Sequence, residues 1–224
     1  MRYLFAALRI VVAVAIVAAV VGQLNTSIGY WGAKGGVDVA THVVHFFSFF
    51  TIESNILSAV ILLIGAYFLL FRTGADPRWY TLARAAVVTY MVTTGVVYNV
   101  LLRGIELPQG STLGWSNEVL HVIACAYLLL DWILAPGRSS IANRELWKIL
   151  VFPVIWVVYT LVRGPLVADT VFGRAYWYPY PFLNPNNSDN GYLTVALYVL
   201  LITVVIAGAA AGVLWISRRK APLR

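Results

Sequence analysis

Apolar residues run along this chain in six long stretches, separated by short segments that carry Gly, Pro, Asn and charge. A helix needs about 20 apolar residues to cross a hydrocarbon core. The stretches run from about Leu4 to Val21, His45 to Phe71, Leu82 to Leu102, Asn117 to Leu134, Trp147 to Val162 and Leu193 to Ile216. Their connections have the composition of loops. The pattern predicts an all-α, polytopic membrane protein, a single domain over residues 1–224 folded as a bundle of six transmembrane helices. Arg2 and Arg9 at the start of the first run suit a signal peptide, but Arg9 splits the basic end and no clean small-x-small cleavage site precedes Gln23. That run therefore reads as a retained helix.

Composition agrees. Of 224 residues, 61% are hydrophobic and 11% charged, too apolar for the surface of a soluble domain. A soluble enzyme, a disordered chain and a disulfide scaffold are excluded, the last because Cys125 stands alone. The net charge of +7 gathers at the ends of the apolar runs, as in a membrane protein and unlike a nucleic-acid binder. With the termini and the even-numbered loops on one side, that side holds Arg2, Arg9, Arg72, Arg78, Arg84, Arg138, Arg144, Lys148, Arg218, Arg219, Lys220 and Arg224. The other holds Lys34, Arg103, Arg163 and Arg174. Positive charge stays inside, so both termini are expected in the cytoplasm.

Polar residues inside the spans gather towards the opposite, outer side. Thr51 lies about 9 Å into the second span and His121 about 6 Å into the fourth, at 1.5 Å per residue. Ser48, Thr51, Asn55 and Ser58 follow helical spacing, as do Asn117, His121 and Cys125. Asn99 lies near the outer end of the third span, and Arg103 and Arg163 close the third and fifth. The cytoplasmic halves read as plain. Ser and Thr in such helices commonly bond their own backbone, the expected fate of Ser48, Ser58 and Thr89. A buried histidine is costlier. These placements predict an outer pocket lined by Thr51, Asn55, Asn99, His121 and Arg163, with Asn117 on the same stripe as His121. The long fifth-to-sixth connection, with Trp177, Tyr178, Tyr180 and Phe182, is expected to cap it.

The chemistry that fits is acyl transfer. A threonine hydroxyl needs a base within hydrogen-bond reach, and imidazole suits that role. A lipid would enter laterally from the bilayer, with Asn99 or Arg163 holding a carboxylate or oxyanion. Other classes remain open. His42, His45, Glu118, His121 and Glu53 could together hold a catalytic zinc. Haem or quinone ligation needs histidines facing across the bundle. A transporter or structural protein would need no such constellation.

Three segments narrow this choice. FFTIESNIL, with Thr51, resembles an "LTFxxxLLQ" pattern; WSNEVLHV, with Asn117 and His121, resembles "LNHxxHT"; and VVYTLVRG through YWYPYPFLN, residues 157–184, resembles "WVRxxTGxWVYPFLE". These are motifs of the androgen-induced membrane hydrolase family, and their order and the six-helix plan resemble that family over most of the chain. The chain differs at Glu118 and Val122, and in its extra YPYP and NPNNSDNG sequence. The resemblance implies a multi-pass hydrolase of fatty-acyl esters, such as fatty acid esters of hydroxy fatty acids. Thr51 takes the nucleophile position and His121 the base position, with no cofactor or metal. Asn55, Asn99, Asn117, Arg163, Tyr178 and Phe182 are the substrate-binding candidates, and a lipid from the membrane is the partner. The Ala- and Val-rich style suggests a bacterial relative in the inner membrane.

The topology is directly testable. A single cysteine in the YPYP segment should react with a membrane-impermeant maleimide on intact cells, and one at Ser139 only after permeabilisation. The reverse labelling pattern would overturn the orientation.

Overall fold

The structure is a computed structural model that describes residues 1–219. Lys220 and Arg224, counted above among the cytoplasmic basic residues, lie outside the described residues. Among the described residues, six helices are long and apolar enough to cross a membrane. They are α1 (Arg2–Lys34), α3 (Phe50–Phe71), α4 (Arg78–Leu102), α5 (Gly114–Leu134), α6 (Asn143–Leu166) and α7 (Tyr192–Ser217). A short helix, α2 (Val39–Phe47), precedes α3. The chain is all-helical, as the hydrophobic pattern predicts, because backbone N–H and C=O groups in hydrocarbon need partners within the protein.

Two boundaries differ from the sequence reading. The first helix does not stop near Val21 but continues for 33 residues, or about 50 Å. Leu24 and Trp31 keep its inner face apolar, and Gln23 anchors it by donating to the Ser111 carbonyl and accepting from the Leu113 N–H. It ends at Gly35, with φ of 66°, a conformation that favours glycine. The stretch from His45 to Phe71 is not one helix. Asp38 caps α2 by accepting from the Thr41 N–H, and the chain turns at Ser48 and the extended Phe49. The Ser48 hydroxyl donates to the Val44 carbonyl, and the Trp156 indole donates to the Ser48 carbonyl. The break is thus satisfied by side chains, a pattern hydropathy does not register.

Small residues bring α1 and α3 together. Ala6, Ala13 and Ala19 are buried on α1, and Ala59 and Ala66 on α3. Gly65 has to be a glycine, since a Cβ there would run into the Tyr80 hydroxyl and the Arg9 guanidinium. Ser48, Ser58 and Thr89 each bond a carbonyl four residues back, the structural fate expected for them.

The half of the bundle that carries the termini is not plain. Asp131 of α5 lies between Arg9 of α1 and Arg84 of α4, and all three are buried. Arg9 donates to both carboxylate oxygens, at 2.9 and 3.1 Å. Arg84 donates to Oδ2 through Nε and Nη2, at 3.1 and 2.7 Å, and to the Asp131 carbonyl. Arg84 also lies 4.0 Å from Asp76. The sequence reading missed this cluster because Arg9 and Asp131 stand 122 residues apart, and each looks like a helix-end charge by itself.

Breaking a buried ion pair leaves a charge without compensation and costs about 3–5 kcal/mol. Asp131→Ala strands two guanidinium groups, so it should sharply lower thermal stability in detergent and the yield of folded protein. A melting temperature equal to that of the parent would rule out this role for the cluster.

Candidate functional site

At the end opposite the termini, the helices enclose a cavity of about 370 Å3. Its wall includes Tyr30 and Trp31 of α1, His42 and His45 of α2, Thr51 of α3, Tyr98 of α4, and Asn117 and His121 of α5. The α6–α7 connection covers it with Trp177, Pro179 and Tyr180. A second, apolar slot of about 130 Å3 runs between α3, α4, α6 and α7, lined by Phe50, Thr93, Pro153, Trp156, Phe182 and Ile202 among others. Thr51, Tyr98, Leu102 and Tyr180 belong to both walls. The cavity and the slot therefore meet at Thr51.

Thr51 is the second residue of α3, so its N–H is one of the donors a helix start leaves unpaired. Phe49, at the cap position, is extended and offers no side-chain acceptor. The Tyr180 hydroxyl fills that role, accepting from the Thr51 N–H at 3.2 Å and lying 3.2 Å from Oγ1. Tyr180 is held by the ring of Phe182, stacked at 5.2 Å, and by the edge of Phe49 at 5.6 Å. Burial pushes its phenol above the usual range, against an opposing pull from the Thr51 hydrogen bonds. It stays neutral near pH 7, as a hydrogen-bonding hydroxyl.

His121 lies in a π-helical turn, Val119–Ile123, and Tyr98 in another, Tyr98–Leu102. Such turns recur at functional sites. The two rings stack at 3.9 Å. His121 Nδ1 lies 2.9 Å from the Asn117 carbonyl. A carbonyl only accepts, so Nδ1 carries the proton and Nε2 is left as the acceptor. Nε2 has no hydrogen-bond partner among the described residues. Asn117 Nδ2 donates to the Tyr98 hydroxyl, which steadies the ring. Thr51 and His121 face one cavity, and no hydrogen bond joins them.

The other sequence-selected residues divide. Asn117 is on the cavity wall and Phe182 on the slot wall. Asn55, Asn99, Arg163 and Tyr178 are on neither. Asn55 is buried and donates to the Thr51 and Leu120 carbonyls, at 2.8 and 3.1 Å, so it ties α3 to α5 behind the nucleophile candidate. Asn99 is exposed, donating to the Gly95 carbonyl and accepting from Arg103. Arg163 lies over the Trp177 ring at 5.3 Å. Tyr178 covers Gly164, where a Cβ would overlap its ring, and its hydroxyl lies 3.4 Å from that of Tyr192. These four face a neighbouring helix, solvent or the connection instead of either wall.

The outer histidines form a group of their own. His42 Nε2 is 3.0 Å from the Thr170 hydroxyl and 3.9 Å from Asp169. The His45 ring stacks on Trp177 at 4.2 Å and 10°, and both its nitrogens are buried without a partner. Burial lowers the pKa of His42. Burial, helped by the charge of Arg163, lowers that of His45 to about 3. The zinc alternative required these histidines to converge with Glu118 and His121. Instead Glu118 pairs with Arg103 at 2.9 Å, and no three metal-binding side chains converge among the described residues.

The fold and site together define a six-helix, membrane-spanning protein with a cavity at one end that opens onto an apolar slot. No protein family, curated protein or solved structure matches the chain.

Tyr178 fits only because residue 164 lacks a side chain. Gly164→Ala should push the connection off the cavity and destabilise the fold by about 1–3 kcal/mol, the usual cost of overpacking. Thermal unfolding measures the loss, and faster proteolysis within residues 167–191 would locate it. An unchanged melting temperature and digestion pattern would show that the connection is not held through this contact.

Proposed function

We propose that this chain is an integral-membrane hydrolase of fatty-acyl esters, with Thr51 as nucleophile and His121 as base. The observation that carries this reading is the position of Thr51. Thr51 stands where a cavity shared with His121 meets an apolar slot. An ester with its acyl chain in the slot and its alcohol in the cavity brings its carbonyl carbon to Oγ1. The resemblance to the androgen-induced membrane hydrolases points to the same pair. A bacterial inner-membrane setting with both termini cytoplasmic fits the charge distribution.

Thr51 Oγ1 attacks the carbonyl carbon while its proton passes to His121 Nε2, the open acceptor of that ring. The leaving alkoxide takes this proton from His121, and the acyl group remains on Thr51. Water then attacks the acyl-threonine, giving one proton to His121, which returns it to Thr51 Oγ1. The carboxylic acid leaves. The hydrogen bond from Thr51 to the base is open without substrate, as catalytic hydrogen bonds often are. The Tyr180 hydroxyl, which accepts from the Thr51 N–H, keeps its own proton to donate to the developing oxyanion.

A nucleophile and its base act as a unit. Thr51→Ala and His121→Ala should each lower turnover of a long-chain ester by at least about 1,000-fold, and the double variant little further. Purified protein assayed in nanodiscs tests this, with intact mass showing one acyl group on Thr51 early in turnover. Thr51→Ser should keep part of the rate, since the hydroxyl remains without the methyl that restricts its rotamer. Undiminished hydrolysis by Thr51→Ala would remove the proposal.

A further inference from the structure

The apolar slot is a gap in a bundle that is otherwise packed. Protein interiors leave few voids larger than a water molecule, yet about 130 Å3 stands open beside Thr51. Water is a poor occupant, since a buried water needs about three polar partners. The threonines of the slot are engaged elsewhere. Thr93 and Thr203 donate to the Thr89 and Val199 carbonyls, and Thr94 meets Ser54 of α3. No charged side chain lines the slot among the described residues. Its chemistry suits a hydrocarbon chain.

The slot is bounded at its two ends and open at its side. At the end that carries the termini, the chain entering α6 is tied to the end of α7. The Ile141 N–H donates to Ser217 Oγ at 3.1 Å, and Arg218 Nε donates to the Ile141 carbonyl at 3.3 Å. At the other end, Tyr180, Phe182 and Leu183 of the connection lie across it. Between these limits α6 contributes Val154 and α7 contributes Thr203. Both are exposed, Val154 at 57%. A residue that lines the slot and also faces outward stands at its edge. These two helices are the least buried of the six spans, so the medium outside that edge is lipid.

Pro153 of α6 lines the slot between them. It has no N–H to give the Ile149 carbonyl one turn back, and the Tyr90 hydroxyl of α4 donates to that carbonyl at 2.7 Å. This bond fixes α6 against α4 at the level of the slot.

We propose that the acyl chain enters and leaves sideways, through the gap between α6 and α7 framed by Val154 and Thr203. The protein then takes long-chain esters from the half of the bilayer opposite the termini, and the far end of the chain stays in lipid. The inference rests on the reading of Thr51 as nucleophile and goes beyond it in assigning the route of the chain and the lengths accepted. A slot open to the bilayer sets no upper limit on chain length, whereas a closed pocket does.

The test uses 4-methylumbelliferyl esters and the full chain in nanodiscs. Val154→Trp combined with Thr203→Trp should lower the ratio of palmitate to butyrate kcat/KM at least about tenfold, as overpacking of the gap requires. Leu201→Trp, on the opposite and also exposed side of α7, should leave the ratio as it is. Palmitate and behenate esters should react at similar rates, because the added carbons lie in the bilayer. A labelling measurement is independent of turnover. Thr51→Ala protein, irradiated with a palmitate ester that carries a diazirine midway along its chain, should be labelled on Val154, Ile202 or Thr203. An unchanged ratio in the double variant, loss of turnover at behenate, or label confined to other sides of the bundle would each overturn the inference. Absence of Thr51-dependent turnover on every ester, with label still on these residues, would remove the hydrolase reading and leave the slot standing as a site for a lipid chain.

Discussion

A carboxylate in the hydrocarbon half of a bundle has to be paired, and Asp131 is paired twice. Arg9 and Arg84 grip it from helices on either side, so α1, α4 and α5 meet in one register at the end that carries the termini. Hydrophobic burial has little power to choose between registers in a membrane, because lipid is as apolar as the helices. A directional set of charge-assisted hydrogen bonds does choose. The small residues between α1 and α3 complete the arrangement, since Gly65 leaves the space that Arg9 and Tyr80 fill. With that end locked, the opposite ends of the same helices are free to open around a cavity.

The open end is built from departures from regular helix. The chain breaks at Ser48 and Phe49, which starts α3 at the cavity and leaves the Thr51 N–H without a partner inside the helix. Two π-helical turns set Tyr98 and His121 face to face. The α6–α7 connection then supplies what the helices lack, a hydroxyl from Tyr180 for the start of α3 and a ring from Trp177 for His45. Each irregularity exposes backbone or imidazole atoms, and each is met by an aromatic side chain from elsewhere in the chain. His45, stacked on Trp177, keeps both ring nitrogens buried and without a hydrogen-bond partner.

Composition and hydropathy determined the class by themselves. Six apolar runs of sufficient length in a chain with so few charges can only be spans, because the cost of exposing backbone to lipid allows helices and little else. The choice of Thr51 and His121 also came from local information, a hydroxyl and an imidazole at matched depth, and the structure places both on one wall. Depth along a helix follows from counting residues. The direction a side chain faces does not, since it depends on which neighbour each helix meets. That is why Asn55, Asn99 and Arg163, chosen by the same count, turn instead to a helix, to solvent and to Trp177. Tertiary structure alone decided the Asp131 cluster, the Tyr180 cap and the stacking of Trp177 on His45, because each joins groups far apart in sequence whose partners no local pattern reveals.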